Sequence, residues 1–177
     1  MKYKLPNKII YQDEKIVKFL IESPKYGNIE VLIDVEDYNK IKNYRWYAHL
    51  DKRTNSFYVR THIERIILLS LHRVILNLTN PKIKGDHKDH NTLDNRKQNL
   101  RVCTQSENLR NQKLHKNNKS GYKGIRWRNK NKKWEAYIGL NHKYTHLGSY
   151  KNKLDAVLAY NQAAIKYYGE FARLNNV

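Results

Sequence analysis

Between residues 85 and 111 the chain reads GDHKDHNTLDNRKQNLRVCTQSENLRN, so an Asp-His pair occurs twice in quick succession, at Asp86-His87 and Asp89-His90. Hydrolysis of a phosphodiester needs a base to activate water, a cation to neutralise the phosphate and the leaving oxygen, and a group that holds the base in orientation. This segment can supply all three. On a strand Asp86 and His87 face opposite ways and serve different atoms, provided the backbone bends, which the preceding Gly85 permits. An asparagine from a following helix could complete a metal site with Asp86. Carboxylate and amide oxygens are hard donors and favour magnesium or manganese over zinc. The same residue types also make up an ordinary polar hairpin loop.

Charge points to the partner. Thirty-five Lys+Arg stand against 16 Asp+Glu, a formal net charge of +19, and cations placed on phosphates release condensed counterions. Nucleic acid is therefore the expected partner, ahead of a ribosome-like solvated surface or an anionic membrane. No apolar run approaches the roughly 18 residues of a membrane span, and the start MKYKLPNKII lacks a signal-peptide core and cleavage site. A cytoplasmic, monomeric protein with no membrane contact and no evident protein partner is expected. Cys103 is the one cysteine, which excludes an internal disulfide and paired-cysteine zinc sites; a buried structural thiol is the expected role, ahead of a nucleophile.

The elements that must hold the Asp-His segment can be read on either side of it. KIVKFLIES and NIEVLID alternate as the strands of a hairpin turning at Pro24 to Gly27, and Asp34 is expected to cap a short helix, VEDYNKIKNY. RWYAHLDKRTNSFYVRTHI reads as a second hairpin with its turn near Lys52 to Asn55. IERIILLSLHRVILNL (63–78) reads as an apolar helix ending before Asn80-Pro81, with His72 inside it as a packed core residue or, less readily, a ligand. Thr104-Gln-Ser-Glu107 is a capping box, opening a helix that carries Asn108 and Asn111 one turn apart. A basic linker over 113–120 follows. Beyond it GIRWR, WEAYIGL and YTHLGSY are three strand candidates, and KLDAVLAYNQAAIKYY is a helix with Asn152 as N-cap and Gly169 as C-cap, expected to pack through Leu154, Val157, Leu158 and Ile165. From Lys113 to Lys153 there are twelve Lys+Arg and one acid, Glu135, so the nucleic-acid surface is expected there.

Asp86-His87, Asp94-Asn95-Arg96, Asn99-Leu100-Arg101, Thr104 and Glu107-Asn108 resemble, in that order, the HNH endonucleases of phage and intron origin, and the lead-in from residue 28, including LHRVIL, is similar too. The resemblance implies a ββα-metal nuclease core. It makes Asp86 and Asn108 the metal ligands, His87 the general base, and Asn99 the residue that orients the base and braces the loop. Asn108 stands where other members have their last histidine, a more oxygen-rich site that suits magnesium. His90 stands where they usually have glycine, and Asp89-His90 remains a rival pair. Arg96 and Arg101 flank the site and can hold the scissile phosphate or be solvated arginines near DNA.

Residues 121–175, with YKGIRWR, KWEAYIG, HLGSY and AVLAYNQAAIKYYG in order, resemble the DNA-binding domain of the APETALA and ethylene-response-factor type. By that resemblance Lys123, Arg126 and Arg128 contact DNA from the first strand, with Trp134, Tyr137 and His146 as secondary contacts; core packing is the equal alternative for Trp127 and Trp134. Tyr137 and Gly139 replace an acid and an arginine of the plant domains, and His146 replaces a tryptophan, so their base preference does not transfer. The expected fold class is α+β: residues 1–112 an HNH core with an N-terminal β-hairpin and helix region, and 121–177 a three-stranded antiparallel sheet packed on one helix. The expected activity is a site-selective, magnesium- or manganese-dependent nicking endonuclease of the homing type, phage-encoded in a bacterial host, acting on double-stranded DNA. A DNA-binding regulator with an inactive nuclease fold is the alternative, and an RNA-directed activity a third.

Overall fold

The computed structural model describes residues 6–64, 66–114, 117–140 and 143–177; His115 and Lys116 of the expected linker, and the first five residues of the chain, lie outside them. The chain divides into two compact units, Met1–Gln105 and Ser106–Val177, each mixed α and β with antiparallel sheets.

In the first unit β1 (Lys8–Gln12), β2 (Ile16–Ser23) and β3 (Gly27–Asp34) form one sheet in that order. The expected hairpin is β2–β3; β1 is an added edge. Alternation along β2 and β3 sends Val17, Phe19 and Ile21 to the same face as Ile33, Val31 and Ile29, their direct cross-strand partners, and all six are buried. A single 3-10 turn, Val35–Asp37, leads into α1 (Tyr38–Ile41). Asp34 precedes that turn but makes no side-chain cap bond. Its carboxylate accepts instead from the Lys97 backbone N–H at 2.7 Å, because a long-range tie to the loop before β8 outcompetes the local cap.

A second sheet is ordered β4 (Tyr47–Asp51), β5 (Ser56–Ile63), β6 (Ile67–Ser70). Here the expected helix over 63–78 is corrected. Glu64 takes a left-handed φ of 50° and reverses the chain, so that Ile67 to Ser70 pair back onto Ile63 to Arg60. The helix, α2, is confined to Leu71–Ile75, with Leu71 and Ile75 buried one turn apart. β7 (Lys84–His87) and β8 (Leu100–Cys103) make a two-stranded antiparallel pair, and α3 (Gln105–Asn111) follows in sequence.

In the second unit β9 (Ile125–Arg128), β10 (Lys133–Leu140) and β11 (Lys143–Tyr150) form a sheet ordered β11-β10-β9, followed by α4 (Lys153–Tyr168). Asn152 caps α4, accepting from Leu154 N–H at 2.9 Å, and Gly169 ends it with φ 54°. The packing face of α4 differs from expectation: Val157 is buried, but Leu154, Leu158 and Ile165 are exposed. Ala156, Tyr160, Ala163, Ala164 and Tyr168 join Val157 in the core against Ile125, Ala136 and Ile138. Small alanines let the helix lie close to the sheet, and the two tyrosines fill the rest, so the larger aliphatics are left outside.

Candidate functional site

The β7–β8 register sets Asp86 opposite Arg101 and His87 opposite Leu100. Cross-strand partners share a face, and Arg101 meets Asp86 through two hydrogen bonds to the same oxygen, Nε to Oδ2 at 2.9 Å and an Nη to Oδ2 at 2.7 Å. Both side chains are more than nine-tenths buried. Arg96 is likewise engaged, in a bidentate pair with Asp94, at 2.9 Å from Nε and 2.6 Å from an Nη. The two arginines expected beside the phosphate thus each hold a carboxylate of the site.

His87 is buried, 5% exposed, and burial pushes its pKa below the ordinary imidazole value, against the raising influence of Asn95 and nearby carboxylates. Its Nε2 lies 3.2 Å from Asn95 Oδ1. Asn95 is 1% exposed, and its Nδ2 donates to Thr92 O at 3.3 Å, an orientation that leaves Oδ1 to accept from Nε2–H. The favoured tautomer therefore carries its proton on Nε2 and its lone pair on Nδ1. Asn99 works on the loop. Its Nδ2 donates to Asn91 O at 3.2 Å and Asp94 O at 2.9 Å, and its Oδ1 accepts from Asp89 N–H at 3.1 Å. These bonds of Asn99 run to the loop backbone, and the imidazole Nε2 is met by Asn95. The pattern Asp-Asn-Arg contained that residue without distinguishing it from its neighbours.

The lead-in sheet fixes this loop. Leu32 on β3 donates to Leu93 O at 3.0 Å and accepts from Asn95 N–H at 2.7 Å, so the residue that orients His87 is stitched to a strand some sixty positions earlier. The turn at His90 is left-handed, φ 66°; histidine tolerates this region better than most non-glycine residues, so a histidine keeps the turn where glycine is usual.

Behind His87 sits His72. The rings meet edge-on with centroids 5.3 Å apart, and burial lowers the His72 pKa to about 3, so it packs as a neutral ring. Gly85 makes the room: a Cβ there would lie 2.7 Å from His72 Cδ2 and 3.1 Å from Leu76 Cδ1. The glycine is needed for this close approach, while its φ lies outside the left-handed region. Gly85→Ala should therefore lose about 1–3 kcal/mol of stability through overpacking and displace the His72–His87 contact, read by thermal unfolding beside a cleavage assay.

Asn108 lies on α3, whose residues from Ser106 onward group with the second unit. Asp86 and Asn108 both offer hard oxygen donors. Among the described residues three carboxylates, Asp34, Glu36 and Asp37, bring ligand atoms within 4.8 Å of one another. Lys97 and Lys40 already bind that cluster, at 2.5 Å to Glu36 and 2.6 Å to Asp37, and it serves as a tie between α1 and the loop before β8.

In the second unit the open sheet face carries Arg126, whose cross-strand partner is Glu135. Its guanidinium bonds Glu135 at 3.1 Å and the Tyr137 hydroxyl at 2.6 Å, and stacks over the Tyr137 ring at 4.2 Å. Tyr137 in turn meets His146, its neighbour on β11, with centroids 5.0 Å apart. Arg128 is exposed. Trp127 and Trp134 are paired across β9 and β10 and pack edge-on at 5.1 Å. Lys123 departs from expectation. Its ammonium is held by the backbone carbonyls of Arg110 and Gln112, and burial lowers its pKa to about 8. It braces the end of α3 because those carbonyls have no further helical partner.

Residues 70–110 match the HNH endonuclease family. Two plant proteins of Arabidopsis thaliana are similar over shorter stretches: the ethylene-responsive transcription factor WRI1, 41% identical over 58 residues, 32% of this chain, and an AP2-like ethylene-responsive transcription factor, 42% identical over 52 residues, 28% of this chain. The chain spans only 14% and 15% of the lengths of those two proteins. Protein 3.8 of Escherichia phage T7 is 32% identical over 88 residues, 50% of this chain and 72% of the phage protein. With that coverage, and with an HNH endonuclease segment at residues 70–110, the chain belongs to the family of the phage T7 protein.

Proposed function

We propose that the chain is a site-selective, divalent-metal-dependent DNA endonuclease of the homing type, acting as a monomer that nicks one strand of duplex DNA. One observation carries the reading: His87 is buried, kept neutral by that burial, and held at Nε2 by Asn95, next to the buried carboxylate of Asp86. Asp86 and Asn108 would hold Mg2+ or Mn2+, which supplies charge neutralisation at the phosphate and leaving oxygen. His87 Nδ1 takes the proton of the attacking water while Asn95 keeps the ring oriented and stabilises the imidazolium. Asn99 fixes the loop that carries Asn95, and Arg101 fixes Asp86.

Incubating the protein with random-library duplex DNA and magnesium, then mapping ends on each strand, tests the reading; ends on one strand that vanish with a chelator are expected. Absence of any cleavage with retained binding would favour a DNA-binding regulator with an inactive nuclease fold. The buried Arg101 on Asp86 is what supports that second reading, because it already satisfies one carboxylate oxygen. In the second unit, Arg126 stands pre-aimed by Glu135 and Tyr137. Arg126→Ala should weaken binding to the preferred sequence by about 1–3 kcal/mol if it reads a guanine, and weaken all sequences alike if it touches phosphate. Affinities equal to wild type on every sequence would make it a bystander.

A further inference from the structure

The second unit has a groove of about 440 Å³ built by the segment that leads into β9, the start of α4 and the C-terminal tail; Ser120, Gly121, Tyr122, Lys153, Arg173 and Asn175 are among its walls. Its lining includes two cations and, among the described residues, no carboxylate. Lys153 is a fixed cation: its Nζ sits 4.9 Å over the Tyr122 ring and 4.9 Å over the Trp134 ring. The walls are tied together by hydrogen bonds. Asn175 accepts from Lys123 N–H at 2.7 Å and donates to Lys123 O at 3.0 Å, and its backbone is paired twice with the Asn161 amide. Ser120 Oγ is tied to Asn118 and Tyr122 O. Lys123 lies near enough to Arg173 for the two cations to repel, so the field along this edge is positive.

This groove is distinct from the open face that carries Arg126. Along β10, Trp134 alternates with Glu135, and it packs against the core that Ala136 and Ile138 share with α4. The groove therefore borders the helix side of the sheet.

We propose that the groove is a second DNA-backbone site, in which Lys153 and Arg173 take a phosphate of the duplex outside the stretch read by the sheet. This rests on the DNA-binding reading of the second unit. A cationic cleft whose described lining holds no carboxylate favours an anion, and its volume admits a phosphate with its sugar.

The test uses the full chain and a fluorescent mixed-sequence DNA duplex, with affinity measured against salt for wild type, Lys153→Met, Arg173→Gln and Arg126→Gln. Methionine retains most of the aliphatic stem over Tyr122 and Trp134 and removes the charge. Lys153→Met and Arg173→Gln should each lower the log-log salt slope by about 0.9, the value for one neutralised phosphate, with thermal unfolding unchanged in at least one of them. Wild-type slopes in both variants would overturn the second site while leaving the sheet reading intact, provided Arg126→Gln still weakens binding. Failure of the wild-type protein to bind duplex would instead sink the DNA-binding reading itself. Inorganic phosphate is the control: amide shifts at Gly121 and Asn175 on adding it, with wild-type salt slopes in both variants, would mark a free-anion pocket and overturn the DNA assignment.

Discussion

His87→Ala should abolish cleavage of duplex DNA while leaving affinity for that DNA almost unchanged. The substitution removes proton abstraction, a step worth about 10²- to 10⁴-fold, and removes no charge that faces a phosphate. The ring is neutral in the fold because burial lowers its pKa, so it is ready to accept a proton at neutral pH. The sign follows: with the pKa depressed, the base form persists below the ordinary imidazole value and is lost only as pH falls further. Cleavage should thus be level through neutrality and through the ordinary imidazole range, and decline only at more acid pH. Asn95→Ala should keep metal-dependent cutting but slow it, since the imidazole loses the partner at Nε2. Strand-resolved cleavage rates beside binding isotherms decide this, and undiminished cutting by His87→Ala would move the assignment to His90, whose N–H donates to His87 O at 3.2 Å within the same turn.

Short-range features of this fold were legible in the sequence, and features that depend on remote partners were not. Alternation placed β2 and β3, and Asn152 and Gly169 marked the ends of α4, because these signals act within one element. The run from Ile63 to Leu78 misleads because an apolar stretch does not distinguish a strand from a helix, and the left-handed Glu64 turns its first part back as strand β6. Asn95 could not be singled out, since its place at His87 is set by hydrogen bonds to Leu32 on a distant strand. The resemblance to the plant DNA-binding domains puts Lys123 on DNA. Its carbonyl partners, Arg110 and Gln112, lie across the basic segment, and such a use of a lysine has no local signature. The apolar residues of α4 show the same limit: which stripe is buried depends on how closely alanines allow the helix to approach, which spacing alone does not reveal.

Arg101→Met and Asp86→Leu should each destabilise the protein by about 3–5 kcal/mol, because either change leaves the other charge buried without its partner. The double variant should regain most of that loss, since two apolar groups in place of a buried ion pair are often neutral or stabilising. Denaturant unfolding of the four proteins gives the coupling energy directly. Cleavage should follow a different pattern. The double variant is expected to be stable and inactive, because Asp86 is gone, which separates the role of the carboxylate in the reaction from its role in the fold. If Arg101 instead served chiefly to hold the scissile phosphate, Arg101→Met would unfold like wild type and lose only activity, and the coupling to Asp86 would be small. The geometry favours the first pattern: two N–H groups of Arg101 converge on one oxygen of Asp86 inside the β7–β8 pair, where little water remains to replace either partner. A stable, catalytically weak Arg101→Met would therefore overturn the assignment of Arg101 as the residue that holds Asp86 in place.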